Sequence, residues 1–312
     1  MRVLIYGCGA VGGVFAAALA QAGHEVALVG RPAHVAAIRS SGLRLEGMTR
    51  GTWRVPITER LDRPLEVDLL LLTVKSFDLR ASTEAIGRVL DRPTPILLPQ
   101  NGLGIEEHVR AALASVTSIR PPLVRAVTTI PAQLVRPGLV RHNGTGELRL
   151  AEPTRAPAIA PAIRAFHDLL VGAGLSVRYV EDLELALWSK AVLNGAINPV
   201  TAAFGVTNGA LQDAPYRDPA EALLGEGLLA ANASGHALSA SELEAELWRT
   251  VRATAENRSS MLQDVERGRP TEIAAISGEL LAAGRAHGIR MPRTEEFIDK
   301  VEARARSRGQ SS

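Results

Sequence analysis

A single cysteine, Cys8, stands in the 312 residues. That excludes an intrachain disulfide framework and any metal site built from several thiolates. The seven histidines fall into no recognisable ligand spacing, so no metal is expected. Charge of one sign is missing as well: 35 Lys and Arg are interspersed with 33 Asp and Glu, for a formal net charge of +2. Without a basic block there is no extended cationic face, and nucleic acid is not an expected partner. No apolar run reaches the roughly 18 residues of a membrane span, and the first strand-like run begins at Arg2, leaving no room for a signal peptide. A soluble, cytoplasmic protein with no membrane partner is the expectation. Repeats and low-complexity linkers are also absent. What is present is 46% hydrophobic residues, enough for a large core, over a length that a prior of about 150 residues per domain divides in two.

The N-terminus carries the first motif. Arg2–Tyr6 is a short β-rich apolar run, and the turn Gly7, Cys8, Gly9, Ala10, Val11, Gly12 follows at once, ahead of an alanine-rich helical stretch to about Ala22. Gly7 permits the tight turn, Gly9 lets the backbone approach a pyrophosphate, and Gly12 lets helix and strand pack closely, with the phosphates at the helix N-terminus. Glu25–Val29 then reads as a second strand, completing a βαβ-like unit and a dinucleotide site. Cys8 fills space in this turn and is assigned no chemistry. At the end of the second strand an NAD site usually carries an acid for the ribose 2′-hydroxyl, but this chain reads Val29-Gly30-Arg31-Pro32. With the carboxylate missing and a guanidinium in its place, the expected cofactor is NADP(H); an Arg31 that merely faces solvent is the alternative.

Residues 43 to 57 alternate like short peripheral strands and read as decoration. Val67 to Val74 is a nearly continuous apolar run, as in a central parallel strand, and ends in Lys75; Thr94 to Leu98 is a second, ending near Asn101. Ligands of open α/β sheets bind beyond the strand C-termini, which places Lys75 and Asn101 where nicotinamide and substrate meet, unless each is a plain turn residue. From Val124 to Ala151 turn signals at Arg136-Pro137-Gly138 and Asn143-Gly144 suggest antiparallel strands added to the sheet. A helix near 161–172 and a strand at 176–180 close a first domain, expected over 1–181.

Beyond Asp182 helical patterns dominate, at 183–203, 218–236, 240–266 and 271–288, so an all-α domain is expected over 182–312. Its first helix holds Lys190, Asn194 and Asn198 every four residues in an otherwise apolar run, which lines them up along one side. Burying an ammonium and two amides is costly unless each finds a partner, and a polar substrate would supply one. The bland alternative is that the two asparagines bond nearby backbone while Lys190 snorkels to water. Glu272 reads locally as a first-turn acid behind a Thr271 cap.

Taken together, the glycine turn, Thr73-Val74-Lys75, Gln100-Asn101-Gly102-Leu103-Gly104, Trp188 to Pro199, and Ala255 to Asp264 through Pro270-Thr271-Glu272-Ile273 resemble the ketopantoate (2-dehydropantoate) reductase family over essentially the whole chain. The resemblance implies a Rossmann-type domain followed by a helical domain. It implies NADP(H)-dependent reduction of a 2-keto acid substrate, ketopantoate to (R)-pantoate, in pantothenate and coenzyme A synthesis. By position it makes Lys190 the catalytic lysine and Glu272 its acidic partner, also near the cofactor. It gives Asn194, Asn198, Asn208 and Ser260 to the substrate, Lys75 and Asn101 to the cofactor–substrate junction, Ala132 to the cofactor's surroundings, and Arg31 to the 2′-phosphate. Pro131 departs from the pattern, since many members carry a small residue there. Two rivals remain: another NADP-linked 2-keto or hydroxy acid dehydrogenase on the same fold, and a non-catalytic NADP(H) sensor, which would have no use for Lys190, Ser260 and Glu272 together. A homodimer is left open.

Overall fold

The computed structural model describes residues 1–309. The chain forms two compact units: residues 1–100 with 105–183, and residues 101–104 with the chain from Glu184 on.

In the first unit the apolar runs become strands β1 (Arg2–Tyr6), β2 (Glu25–Val29), β3 (Leu43–Gly47), β4 (Gly51–Trp53), β5 (Ile57–Thr58), β6 (Leu69–Leu72), β7 (Ile96–Leu98), β8 (Leu123–Thr128), β9 (Ala132–Arg136), β10 (Leu139–His142), β11 (Glu147–Ala151) and β12 (Ser176–Val180). The intervening helices are α1 (Ala10–Gln21), α2 (Pro32–Ser41), α3 (Leu79–Gly87), α4 (Ile105–Ala114) and α5 (Ala160–Gly172). Eight strands form one sheet in the order β12-β11-β8-β7-β6-β1-β2-β5. From β5 to β8 all pairings are parallel, and β11 joins β8 antiparallel. This is the doubly wound arrangement of a dinucleotide-binding domain, whose strand order reverses between β1 and β6.

Both faces of the sheet are covered, which is why its central strands are apolar throughout. Val3, Ile5, Leu69, Leu71 and Leu97 point into one cluster with Phe15 of α1 and Phe166 of α5. Leu4, Leu70, Leu72, Ile96 and Leu98 point into another with Ile86 of α3 and Val109 of α4. Alternation along each strand thus serves two cores.

Two expectations need correction here. Residues 43–57 are more than decoration, and the strands after Val124 do not all join the main sheet. β8 and β11 do, but β3, β4, β9 and β10 form a separate four-stranded sheet, order β4-β3-β10-β9. Its apolar residues Leu43, Leu45 and Val140 bury against α1 in the same cluster as Val14 and Phe15. Hairpin signals in sequence fix local strands; which sheet they join depends on a partner distant in the chain, here Leu139 to His142 alongside Arg44 to Gly47.

The second unit is helical: α6 (Leu183–Phe204), α7 (Ala214–Ala233), α8 (Ala240–Ala253), α9 (Ser260–Glu266), α10 (Glu279–Ala286) and α11 (Pro292–Gly309). The expected helix over 240–266 is broken between Ala253 and Ser260. There Asn257 and Ala255 give their carbonyls to the N–H groups of Asn208 and Gly209, and Ser259 caps a new helix by accepting from Leu262 N–H at 3.1 Å. The expected helix at 271–288 contains a π-helical turn, Ala274–Gly278, and α11 follows it without having been expected. Val192 and Ala196 of α6 bury against α7, α8 and α10. No described helix is long and apolar enough to cross a membrane.

Gly12 and Gly9 separate packing from ligand demand. A Cβ on Gly12 would stand 2.4 Å from the Gly7 carbonyl oxygen and 2.6 Å from Thr73 Oγ1, whereas one on Gly9 would meet only the Gly7 oxygen, at 4.0 Å. Gly12→Ala is expected to lower unfolding stability by about 1–3 kcal/mol and Gly9→Ala by less than about 1 kcal/mol, measured by denaturant titration. Equal losses would contradict the packing.

His34 supplies a pH dependence. It is buried, its Nδ1 accepts from the Gly138 N–H at 2.9 Å, and burial lowers its pKa. The unfolded chain, near the ordinary value of about 6.5, then binds more protons, so stability present at pH 7 is lost as pH falls through that value. The denaturation midpoint is expected to fall between pH 7 and pH 5, with the His34 ring titrating below 6.5 by NMR; a ring titrating above that value would reverse the sign.

Candidate active site

The glycine turn closes β1 at the position where strand order reverses. Gly7, at φ +106°, packs against the backbone of Thr73 and Val74, so a side chain there has no room. Its N–H and that of Cys8 both donate to the Val29 carbonyl, at 2.9 and 3.0 Å, and Gly9 N–H turns back to the Gly7 oxygen at 2.7 Å. The backbone donors of Gly7, Cys8 and Gly9 therefore shape the turn. Those of Ala10, Val11 and Gly12 begin α1, where no helical carbonyl precedes them. α1 has no capping side chain and no acid in its first turn. The open space over Gly9 and these three N–H groups fit a phosphate. Cys8 is buried and its thiol is pushed up to about 12 by burial, which leaves it inert as a nucleophile.

Arg31 precedes α2 at the end of β2, as the 2′-phosphate reading requires, but the carboxylate thought missing is present. Asp78 Oδ2 lies 2.6 Å from Arg31 Nη2. Asp78 ends the 3₁₀ turn Ser76–Asp78 that follows Lys75, and no local pattern around Arg31 could reveal it. Lys75 lies one residue before that turn and is half-buried. The Thr73 hydroxyl donates to the Gly7 carbonyl at 2.8 Å, locking the end of β6 to the glycine turn. Ala132 opens β9 and is part of the rim of the cluster that also takes Val11; the adjacent Pro131 carbonyl accepts from Asn143 N–H.

Asn101 was expected with Lys75 at a strand end of the first domain, yet residues 101–104 pack with the second unit. Gly102 adopts φ +95°, and a Cβ there would lie 2.3 Å from the Ala275 oxygen; Leu103 N–H donates to that same oxygen at 3.3 Å. Asn101 Oδ1 is buried and has no hydrogen-bond partner. Two supports of the preceding strand end escaped sequence reading. Gln100 Nε2 donates to the Leu72 carbonyl at 2.5 Å, and the buried Arg125 donates to the Leu98 carbonyl at 2.9 Å. A charged residue inside the apolar run of β8 was the available signal.

The second unit brings the remaining candidates into one set of contacting segments. α6 carries Lys190, Asn194 and Asn198, with Asn198 only 6% exposed. Among the described residues neither asparagine side chain hydrogen-bonds to nearby backbone, and the amide atoms of both stay in reach of solvent. Pro199 sits inside this helix and lacks the N–H that would reach the Gly195 carbonyl. One turn on, Thr201 Oγ1 lies 2.7 Å from Ser259 Oγ, tying α6 to the start of α9, where Ser260 is exposed. Ala202, Met261, Ile273 and Ile276 share a small buried cluster, which seats the Glu272 segment against α6 and α9. Asn208 follows α6; its Nδ2 donates to Thr254 Oγ1 at 2.9 Å and its Oδ1 is buried without a partner. Glu272 itself is 6% exposed, unlike a solvated first-turn acid. Lys190 and Glu272 each engage a polar or charged partner.

One further signal was overlooked. Of 35 basic residues only Lys75, Lys190 and Lys300 are lysine. Lys300 forms a 2.6 Å ion pair with Glu296 on α11, so scarcity alone does not single out the other two; an ammonium differs from a guanidinium in that it can give up a proton.

Comparison with known proteins agrees with this architecture. Residues 3–155 match the model for ketopantoate reductase PanE/ApbA, and residues 182–305 match its C-terminal counterpart. The chain is similar to a 2-dehydropantoate 2-reductase of Archaeoglobus fulgidus, 33% identical over 92% of each chain. It is similar to a solved 2-dehydropantoate 2-reductase from Geobacter metallireducens, 31% identical with a TM-score of 0.83 over 97% of this chain and 99% of that one. A D-mandelate dehydrogenase solved with NADH and anilino(oxo)acetate shares the fold, with a TM-score of 0.90 at 24% identity over 98% of this chain and 99% of that one. The chain belongs to the ketopantoate reductase PanE/ApbA family, oxidoreductases of 2-keto or 2-hydroxy acids with an NAD(P)-binding Rossmann-type domain.

Proposed function

We propose that the protein reduces 2-dehydropantoate to (R)-pantoate with NADPH, a step in pantothenate and coenzyme A synthesis. The family and the 2-dehydropantoate 2-reductases among its relatives support the substrate. The observation that carries the reading is the pair of buried side-chain oxygens without a partner, on Asn101 and Asn208, in the unit whose first helix carries the polar stripe of Lys190, Asn194 and Asn198. Such groups are costly to bury unless a ligand completes their hydrogen bonds.

When bound, the reduced nicotinamide supplies the hydride that converts the ketone carbon to a carbinol. The chain's own groups do the rest. Ala10, Val11 and Gly12 N–H would hold the pyrophosphate, Arg31 would take the 2′-phosphate, and Lys75 and Ala132 would border the cofactor. Lys190 donates a proton, or a strong hydrogen bond, to the C2 oxygen as negative charge develops there, and so acts most in the transition state. Glu272 is the acidic partner that orients this exchange. Asn194, Asn198, Asn208, Ser260 and Asn101 hold the substrate's carboxylate and hydroxyl, which fixes C2 for attack.

The substrate is tested by NADPH oxidation against a panel of 2-keto acids. Ketopantoate is expected to give a kcat/KM at least about tenfold above the others, the value of one or two well-placed hydrogen bonds. A different acid in first place would replace the substrate while keeping the reaction.

Lys190→Ala is expected to slow hydride transfer by on the order of 10²–10⁴-fold in single-turnover measurements and to leave NADPH affinity nearly intact. Transfer within about threefold of wild type, in a folded and NADPH-saturated variant, would remove Lys190 from the chemistry.

A further inference from the structure

Arg31 and Asp78 come from the ends of neighbouring parts of one sheet. Arg31 leaves β2, Asp78 follows β6, and β1 with its glycine turn runs between those strands. Their side chains are 64% and 42% exposed, so this ion pair is no buried strut, and a pair of this kind adds little to folding stability. Nor does it satisfy the guanidinium: a single contact, Nη2 to Oδ2, leaves the other N–H donors of Arg31 without a hydrogen bond among the described residues. The Asp78 carboxylate also bears on Tyr6, the last residue of β1. The phenol's pKa is raised first by burial and further by Asp78, against a lowering hydrogen bond with Ser82. Through Arg31, Asp78 reaches across the end of β1 from the β6 side of the sheet to the β2 side.

We propose that Asp78 sets the cofactor preference. It holds the Arg31 guanidinium when no 2′-phosphate is present and opposes the phosphate when one arrives, so that the site separates NADPH from NADH only modestly. The inference rests on the reading that Arg31 is the 2′-phosphate ligand. Two charges of the same sign bound to one guanidinium disfavour each other. The carboxylate is also the group that elsewhere accepts the ribose 2′-hydroxyl of NAD, usually from the end of the second strand. Here it is delivered from the turn after β6 to the Arg31 guanidinium. Arginine and acid thus stand together, the first suited to a phosphate and the second to a hydroxyl.

The test compares the wild type, Asp78→Asn and Arg31→Ala by fluorescence titration with NADPH and NADH. Adenosine 2′,5′-bisphosphate and 5′-AMP serve as competitors that carry only the adenosine end. Asp78→Asn is expected to tighten NADPH and the bisphosphate by about three- to tenfold and to leave NADH and 5′-AMP unchanged or weaker. The gain should shrink as salt is raised. Arg31→Ala, with Asp78 retained, is expected to lose most of the NADPH preference while still binding NADH. A NADPH-to-NADH affinity ratio in Asp78→Asn within about twofold of wild type would overturn the inference and leave the Arg31 reading standing. An unaltered ratio in Arg31→Ala would overturn both. Should Asp78→Asn unfold, Asp78→Ser read with the same four ligands gives the same discrimination.

Discussion

Burying an amide obliges the protein to answer its hydrogen bonds, and the second unit leaves that obligation unmet at the side-chain oxygens of Asn101 and Asn208. α6 adds Asn198, almost wholly buried as a residue, and Asn194, partly so, on a helix whose other faces are packed by apolar side chains. Unmet oxygens of this kind cost stability, so their retention points to a partner outside the chain. The rest of the second unit keeps this stripe in place. The Thr201–Ser259 contact, the cluster around Ala202 and Ile273, and the Gly102–Ala275 approach each fix a segment that carries a candidate group.

The first unit solves a different problem with backbone rather than side chains. Gly7 and Gly12 are demanded by close contacts inside the protein, whereas Gly9 faces open space. The turn is therefore rigid on its inner side and uncovered on its outer side, the arrangement a phosphate needs to reach helix N–H groups. The buried Cys8 adds packing without reactivity.

Much of this could be read from residue order. Strand, glycine turn and helix are local features, and Leu69–Leu72 announces a strand buried on both faces. The stripe on α6 is likewise a matter of spacing along one helix. What sequence reading missed depends on contacts between distant residues. Asp78 is 47 positions from Arg31, and only the fold shows that the acid absent at the end of β2 is delivered from elsewhere. The small sheet depends on β3 lying beside β10, and the break before α9 depends on Asn208 docking against Ala255 and Asn257. Asn101 moved from one unit to the other because Gly102 turns the chain onto Ala275. The rarity of lysine was visible in the composition, and it marks Lys300 as much as Lys75 and Lys190, so it narrows the candidates without choosing among them.

The central claim is that the α6 stripe faces the reacting ketone. Its most direct test is a crystal structure of the protein with NADP⁺ and a non-reducible 2-keto acid analogue. The expected result has Lys190 Nζ within about 3 Å of the analogue's C2 oxygen and the Asn198 amide hydrogen-bonded to the same molecule. An analogue bound in order at full occupancy with Lys190 and Asn198 both out of hydrogen-bond reach would contradict it.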